Sequence, residues 1–212
     1  MMQRTQVPQT TIQRLPVYLR CLLQAQQDRM PVISSVEIAE MVGTNAAQVR
    51  KDLSYLGELG TRGIGYDVEA LIAHISRSLG ITGLRRTALV GYGRLGGALK
   101  GYTGFSDRGF NIVAVFDADP AKIGTDADDV TIRSIDELES GLAENRVEIV
   151  VMATPADVTQ ELVDRVTSAG VKAILNLAPV RLQVPDDVAV RQVCLSTDLQ
   201  ILSFYLAQGG MK

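Results

Sequence analysis

Apolar positions change their period part-way along the chain, and the change divides it. Between Thr10 and Asp28, Leu15, Leu19, Leu22 and Leu23 recur at helical spacing together with Gln26. Pro16 suits the first turn of that helix, where its missing N–H costs nothing, and Met30-Pro31 ends it. Ser34-x-x-Glu37 is a capping box, which predicts a second helix with Ile38, Met41 and Val42 on its apolar face. Gly43 breaks it, and a third helix is expected from Thr44 or Asn45 to about Leu56. Asp67 caps a fourth, with Val68, Leu71, Ile72, Ile75 and Leu79 inward and Gly80 as its stop. From Arg85 the pattern differs. Predicted strands at 85–90, apolar behind two charges, and at 111–117, 148–153 and 171–176 alternate with helical stretches after 97, from Ser134 or Asp136 to about Glu144, and from Asp157 to Ala169. Such alternation predicts an α/β unit with a Rossmann-like, doubly wound parallel sheet. A last helix, capped by Ser196 or Thr197, carries Leu199, Ile201, Leu202, Phe204, Tyr205 and Leu206 around nearly its whole circumference. A helix apolar on all sides must be buried on more than one. Docking into a partner subunit is the first reading, and a groove within the same chain the second.

The second and third helices, joined at Gly43-Thr44, form a helix-turn-helix. At 100° per residue, Ala46, Val49, Leu53 and Leu56 cluster on one side of the third helix, and Lys51 points nearly opposite. Gln48, Ser54 and Tyr55 flank Lys51, and Arg50 lies to one side. Such a face can meet base edges and phosphates, or it is simply a solvated helix face. The neighbouring stretch favours the first option. Gly57 to Tyr66 is a glycine-punctuated hairpin with Arg62 at its tip beside Gly63, and Tyr66 closes it. A winged helix carries its wing here, and an arginine on it can enter the minor groove of double-stranded DNA.

Gly91-Tyr92-Gly93-Arg94-Leu95-Gly96 follows the first apolar run and opens a helix, so it reads as a Gly-x-Gly-x-x-Gly dinucleotide turn. Gly91 allows the turn, Gly93 lets a pyrophosphate approach the backbone, and Gly96 lets helix pack on strand. The second run ends in Asp117, near the spacing at which a carboxylate takes the adenosine ribose hydroxyls. The loop from Ala118 to Gly124 could cover the adenosine. In such sheets ligands lie at the carboxyl ends of the strands. That puts Ala153-Thr154-Pro155 and Asn176-Leu177-Ala178-Pro179 on the same rim, beside a nicotinamide.

Composition narrows the picture. With 212 residues, 46% of them apolar, the chain can build one large or two small cores. No apolar run is long enough to span a membrane, and the N-terminus lacks a signal-peptide core. A cytoplasmic location is therefore expected. Cys21 and Cys194 have no metal spacing and read as buried small hydrophobes, with a redox pair between them as the lesser alternative. Residues 1–80 hold eight basic against seven acidic side chains, and residues 81–212 thirteen against seventeen. DNA contact must therefore come from a local patch. The expected division is 1–80 for DNA binding, 81–195 for nucleotide binding and 196–212 for dimerisation. A dehydrogenase would need an acid or base beside the nicotinamide. The single histidine, His74, falls in the first part and reads as surface. A ligand-responsive regulator, without catalytic or metal-binding residues, is the simpler reading. An NAD-dependent dehydrogenase and a CoA-binding module are the alternatives.

Six motifs, in order, resemble the Rex-type redox-sensing transcriptional repressors of bacteria. They are Arg14-Leu15-Pro16-x-Tyr18-x-Arg20, Gln48 to Tyr55, Gly60-Thr61-Arg62-Gly63-x-Gly65-Tyr66, Gly91-x-Gly93-x-Leu95-Gly96, Phe116-Asp117-x-Asp119-Pro120-x-Lys122-x-Gly124 and Ile174-Leu175-Asn176-x-Ala178-Pro179. The resemblance implies a homodimer with a swapped C-terminal helix that reads an inverted-repeat operator. It implies that NADH releases the operator and NAD⁺ permits binding, and Lys122 of the matching motif joins the cofactor-binding set; Phe204 or Tyr205, brought from the partner's tail helix, is expected beside the nicotinamide. One departure stands out. Some members carry an acid where this chain has Cys194, and there it pairs with the arginine matching Arg20. Asp198 is the candidate replacement.

Overall fold

The computed structural model describes residues 7–61 and 63–209. They fall into two compact units, 1–83 and 84–212.

In the first unit α1 (Gln9–Gln27) buries Leu15, Tyr18, Cys21, Leu22 and Ala25 along one stripe. A two-residue strand β1 (Val32–Ile33) leads into α2 (Ser35–Val42). Ser34 caps α2, accepting from the Glu37 amide while the Glu37 carboxylate takes the Ser34 amide. Then α3 (Ala46–Ser54) starts from the Asn45 side chain. Strands β2 (Gly60–Thr61) and β3 (Gly65–Asp67) pair antiparallel as a hairpin, and β1 pairs on the other edge of β3. Asp67 caps α4 (Val68–Leu79), which packs along α1. One core joins Leu15, Tyr18 and Leu22 of α1 to Ile38 of α2, Val49 and Leu53 of α3, and Leu71 and Ile75 of α4.

The second unit is built on a sheet. In chain order its elements are β4 (Arg85–Val90), α5 (Arg94–Lys100), β5 (Phe110–Asp117), the short β6 (Asp126–Ala127), β7 (Val130–Ser134), α6 (Leu138–Glu144), β8 (Ile149–Met152), α7 (Ala156–Ser168), β9 (Ala173–Asn176), β10 (Ala189–Gln192) and α8 (Leu195–Ala207). The sheet order is β10-β9-β8-β4-β5-β7-β6, and every pairing is parallel except β6 with β7. Side chains alternate across it. Ala88, Val90, Phe116, Val150 and Met152 meet α6 and α7 on one face. Leu89, Val115, Ile132 and Val151 lie on the other, beside Leu99 and Phe105.

Several expectations need correction. Pro16 lies mid-helix, because α1 begins at Gln9. The turn before it is held by tertiary bonds from Thr11 and Arg14 to Asp52, which outweigh the amide lost at proline. Leu23 and Met41 are exposed; Tyr18, Ala25 and Ala39 take the buried positions instead. Strands β1, β6, β7 and β10 are too short or too polar to show an apolar run. Cys21 is buried, but Cys194 is partly exposed at the residue before α8, where its side chain makes no capping bond, and the helix starts earlier than its hydroxyl residues suggest.

Candidate functional sites

The turn after β4 is shaped by the chain on three sides. Gly91 has φ +95°, its amide bonds the Phe116 carbonyl at 2.8 Å, and a Cβ there would lie 2.6 Å from the Ala153 carbonyl oxygen. No other residue fits that approach. A Cβ on Gly96 would lie 2.0 Å from the Gly91 carbonyl oxygen, so helix and strand touch there. Gly93 differs: a Cβ would meet no atom of the chain within 4 Å. Its side opens outward at the start of α5, where free N–H groups favour phosphate.

Asp117 closes the same rim from β5. It is 9% exposed. Its Oδ2 accepts the Tyr92 amide at 2.6 Å and its Oδ1 the Asp119 amide at 2.8 Å, with the Lys122 ammonium 3.4 Å away. Burial pushes the carboxyl pKa up, but the two amides and the Lys122 charge outweigh it and hold it below the ordinary value. An ionised acid tied to the glycine turn can accept ribose hydroxyls and repel a phosphate. Arg94 and Leu95 are exposed on the first turn of α5.

The other predicted rim residues divide into two sets. Ala153 and Thr154 are half-buried and Pro155 is exposed, beside Gly91. Asn176 and Ala178 are buried at 0% and 2% exposure. The Asn176 amide donates to the Val180 carbonyl and to Gln192 Oε1, and its oxygen accepts the Ala178 amide. Gln192 in turn donates to the Ala178 carbonyl at 2.8 Å. These two residues hold the turn from within, and only Pro179 reaches its surface. Gln192 was not legible because its strand was not.

In the first unit Arg50, Lys51 and Ser54 are exposed, and Arg50 Nη1 donates to Ser35 Oγ at 3.0 Å. A groove of about 720 Å³ runs between α3 and the hairpin, lined by Ser35, Arg50, Ser54, Gly63, Ile64 and Tyr66 among others. Tyr55 and Tyr66 are half-buried, and burial raises the Tyr66 pKa against the lowering effect of Arg50. Gln48 departs from expectation. It turns onto Asp52 Oδ1 at 3.0 Å, so its amide is partly spent inside the unit. Arg62 lies outside the described residues. Asp52 falls beside Val49 at the edge of the apolar side of α3, and no spacing in the sequence marks it as an anchor.

No residue of α8 is buried, and Phe204 is 60% exposed, its ring edge-on to Tyr205. No described residue of the helix enters the hydrophobic clusters of its own unit. Among the described residues no cluster suits a metal ion, and no helix is long and apolar enough to cross a membrane.

Residues 6–54 match the protein family described as "Putative DNA-binding protein N-terminus", and residues 83–180 match the "CoA binding domain" family. The redox-sensing transcriptional repressor Rex of Streptomyces avermitilis is 49% identical over 94% of this chain and 79% of its own length. That of Carboxydothermus hydrogenoformans is 46% identical over 96% and 98%. The crystal structure of RSP, described as a Rex-family repressor, in complex with β-NAD⁺ and operator DNA is 37% identical at a TM-score of 0.92. It covers 97% of this chain and 94% of RSP. RSP with β-NADH is 36% identical at a TM-score of 0.88, covering 97% and 96%.

Proposed function

The chain belongs to the Rex family of redox-sensing transcriptional repressors, and from that premise we propose which residues read the nucleotide and which read the DNA. It is a DNA-binding repressor that responds to the NADH/NAD⁺ balance. Gly91, Gly93 and Gly96 receive the pyrophosphate at the start of α5, with Tyr92, Arg94 and Leu95 around it. Asp117, steadied by Lys122, takes the adenosine ribose. Ala153, Thr154, Pro155 and Pro179 border the nicotinamide, and Asn176 and Ala178 shape that border from behind. Lys51, Arg50 and Ser54 face the operator, with Gln48, Tyr55, Gly63, Tyr66 and Arg62 beside them. The observation that carries this reading is Asp117, fixed by the Tyr92 amide to the glycine turn.

NADH and NAD⁺ share every phosphate and ribose contact, so those contacts cannot separate them. The difference lies at the nicotinamide ring, neutral in NADH and positive in NAD⁺. A largely apolar border accepts the neutral ring, whereas the cation loses hydration there. The apolar surface of α8, including Leu199, Leu202 and Phe204, supports a homodimer in which that helix seats on the partner subunit. Each protomer of the dimer then offers one recognition helix to one half-site of an inverted repeat. NADH releases DNA by favouring a dimer form that no longer matches both half-sites, and operator DNA must weaken NADH binding by the same factor.

The protein acts without turnover, as a cytoplasmic regulator. DNA binding titrated with NADH, NAD⁺ and NADPH tests the assignment. Release by NADH alone supports it, and indifference to all three refutes it. The match to CoA-binding domains favours one second reading. Asp117 argues against it, since an anion there repels a ribose phosphate, and displacement of NADH by CoA would reverse the choice.

A further inference from the structure

Two threonines at the end of β8 form a short relay. Thr159 is fully buried in the first turns of α7. Its Oγ1 lies 2.6 Å from the Pro155 carbonyl oxygen and 2.9 Å from the Thr154 Oγ1. Two oxygens 2.6 Å apart need a proton between them, and a carbonyl has none, so Thr159 donates to Pro155. A hydroxyl carries one hydrogen. Thr159 therefore has nothing left to give Thr154, and the second bond runs from Thr154 to Thr159. The hydrogen of Thr154 is thus committed inward. What Thr154 presents outward is lone pairs alone. It is half-buried, and its methyl lies 3.1 Å from where a Cβ on Gly91 would stand. This places it on the rim beside the glycine turn.

We propose that Thr154 is an obligate hydrogen-bond acceptor for the nicotinamide riboside half of the nucleotide, with its polarity set by the positioning residue Thr159. This rests on the reading of the rim as a nucleotide site. The donor it selects is either the carboxamide NH₂ or a hydroxyl of the nicotinamide-side ribose.

The test measures affinity of the full-length protein for NADH, for ADP-ribose, which lacks the nicotinamide, and for reduced 3-acetylpyridine adenine dinucleotide, which lacks the amide donor. Thr154→Val should weaken NADH about three- to ten-fold, the worth of one neutral hydrogen bond. If ADP-ribose is unaffected, and the acetylpyridine analogue binds wild type as weakly as NADH binds Thr154→Val, the donor is the carboxamide. An equal loss for NADH and ADP-ribose assigns it to the ribose. Thr154→Ser should keep wild-type affinity. Thr159→Val should lower NADH affinity in the same ligand-selective pattern, and Thr159→Ser should restore it. NADH binding unchanged in Thr154→Val overturns the proposal while leaving the nucleotide site intact. Failure of wild type to bind NADH at all overturns the site itself.

Discussion

Replacing Asp52 with asparagine should unseat the helix proposed to face DNA. Asp52 is fully buried on the inner side of α3 and accepts five hydrogen bonds. Thr11 Oγ1 donates at 2.8 Å, Arg14 Nε and Nη2 at 2.6 and 2.8 Å, Tyr18 at 2.7 Å and Gln48 at 3.0 Å. Three of the four donors come from α1, so one carboxylate fastens α1 to α3 across 34 to 41 residues of sequence. Burial pushes its pKa up, but Arg14, Tyr18, Thr11 and Gln48 outweigh it and hold it at about 2. Burial and the bond to Asp52 raise the Tyr18 hydroxyl to about 12. A depressed carboxylate pKa adds stability above the unfolded value near 4, and that stability is lost as pH falls towards 2. The shift corresponds to about 2 kcal/mol, an upper bound because Arg14 is 33% exposed and solvent screens its share. Asparagine removes the charge and turns an NH₂ towards donors, so the total loss should be about 3–5 kcal/mol. Urea unfolding followed by circular dichroism, at one protein concentration because dimers couple to it, measures this. Operator affinity should fall with it. The gap between wild type and Asp52→Asn should narrow between pH 5 and pH 2, as the carboxylate protonates in the unfolded state before it does in the native one. A variant within about 1 kcal/mol of wild type at pH 7, or a gap independent of pH, would refute the reasoning.

Elsewhere, Asp117→Asn should weaken NADH and narrow its preference over NADPH, read by calorimetry with both nucleotides. Gly96→Ala should destabilise the second unit, since its Cβ would strike the Gly91 carbonyl; Gly93→Ala should leave the melting temperature near wild type yet cost at least ten-fold in NADH affinity. Lys51→Ala should weaken all operator variants alike and lower the salt slope by about 1, measured by anisotropy against salt. Removing residues 195–212 should leave a monomer by light scattering that no longer releases DNA with NADH.

How much of this was legible depended on where the signal lay. The helices of the first unit announced themselves through caps at Ser34, Asn45 and Asp67, each of which makes its side-chain bond to the first turn. The four central strands were legible because both faces are covered, so they read as unbroken apolar runs. Strands β6 and β10 at the sheet edges, and β7 beside β6, carry Asp126, Thr131, Arg133, Arg191 and Gln192, and strands with such polar side chains look like loop. The tail helix was legible as an anomaly for the opposite reason: its apolar surface takes no part in the core of its own unit among the described residues.

The site shows a sharper limit. Spacing identifies which residues crowd around a ligand position without telling which of them are free to meet one. Gly93 and Gly96 belong to one motif, yet a Cβ would meet open space at the first and backbone at the second. Asn176 has the chemistry of a ligand contact, but its Val180 and Gln192 partners take both its donors, the Ala178 amide takes one lone pair of its oxygen, and the side chain is fully buried. Gln48 lies on the helix proposed to read the operator and still gives a hydrogen bond to Asp52. Thr154 has no free donor and presents only lone pairs, because Thr159 spends its proton on Pro155. Each distinction rests on counting donors and acceptors in three dimensions. A motif therefore marks a place in the fold, and the hydrogen-bond count within that place separates the residues that build it from those left over to bind.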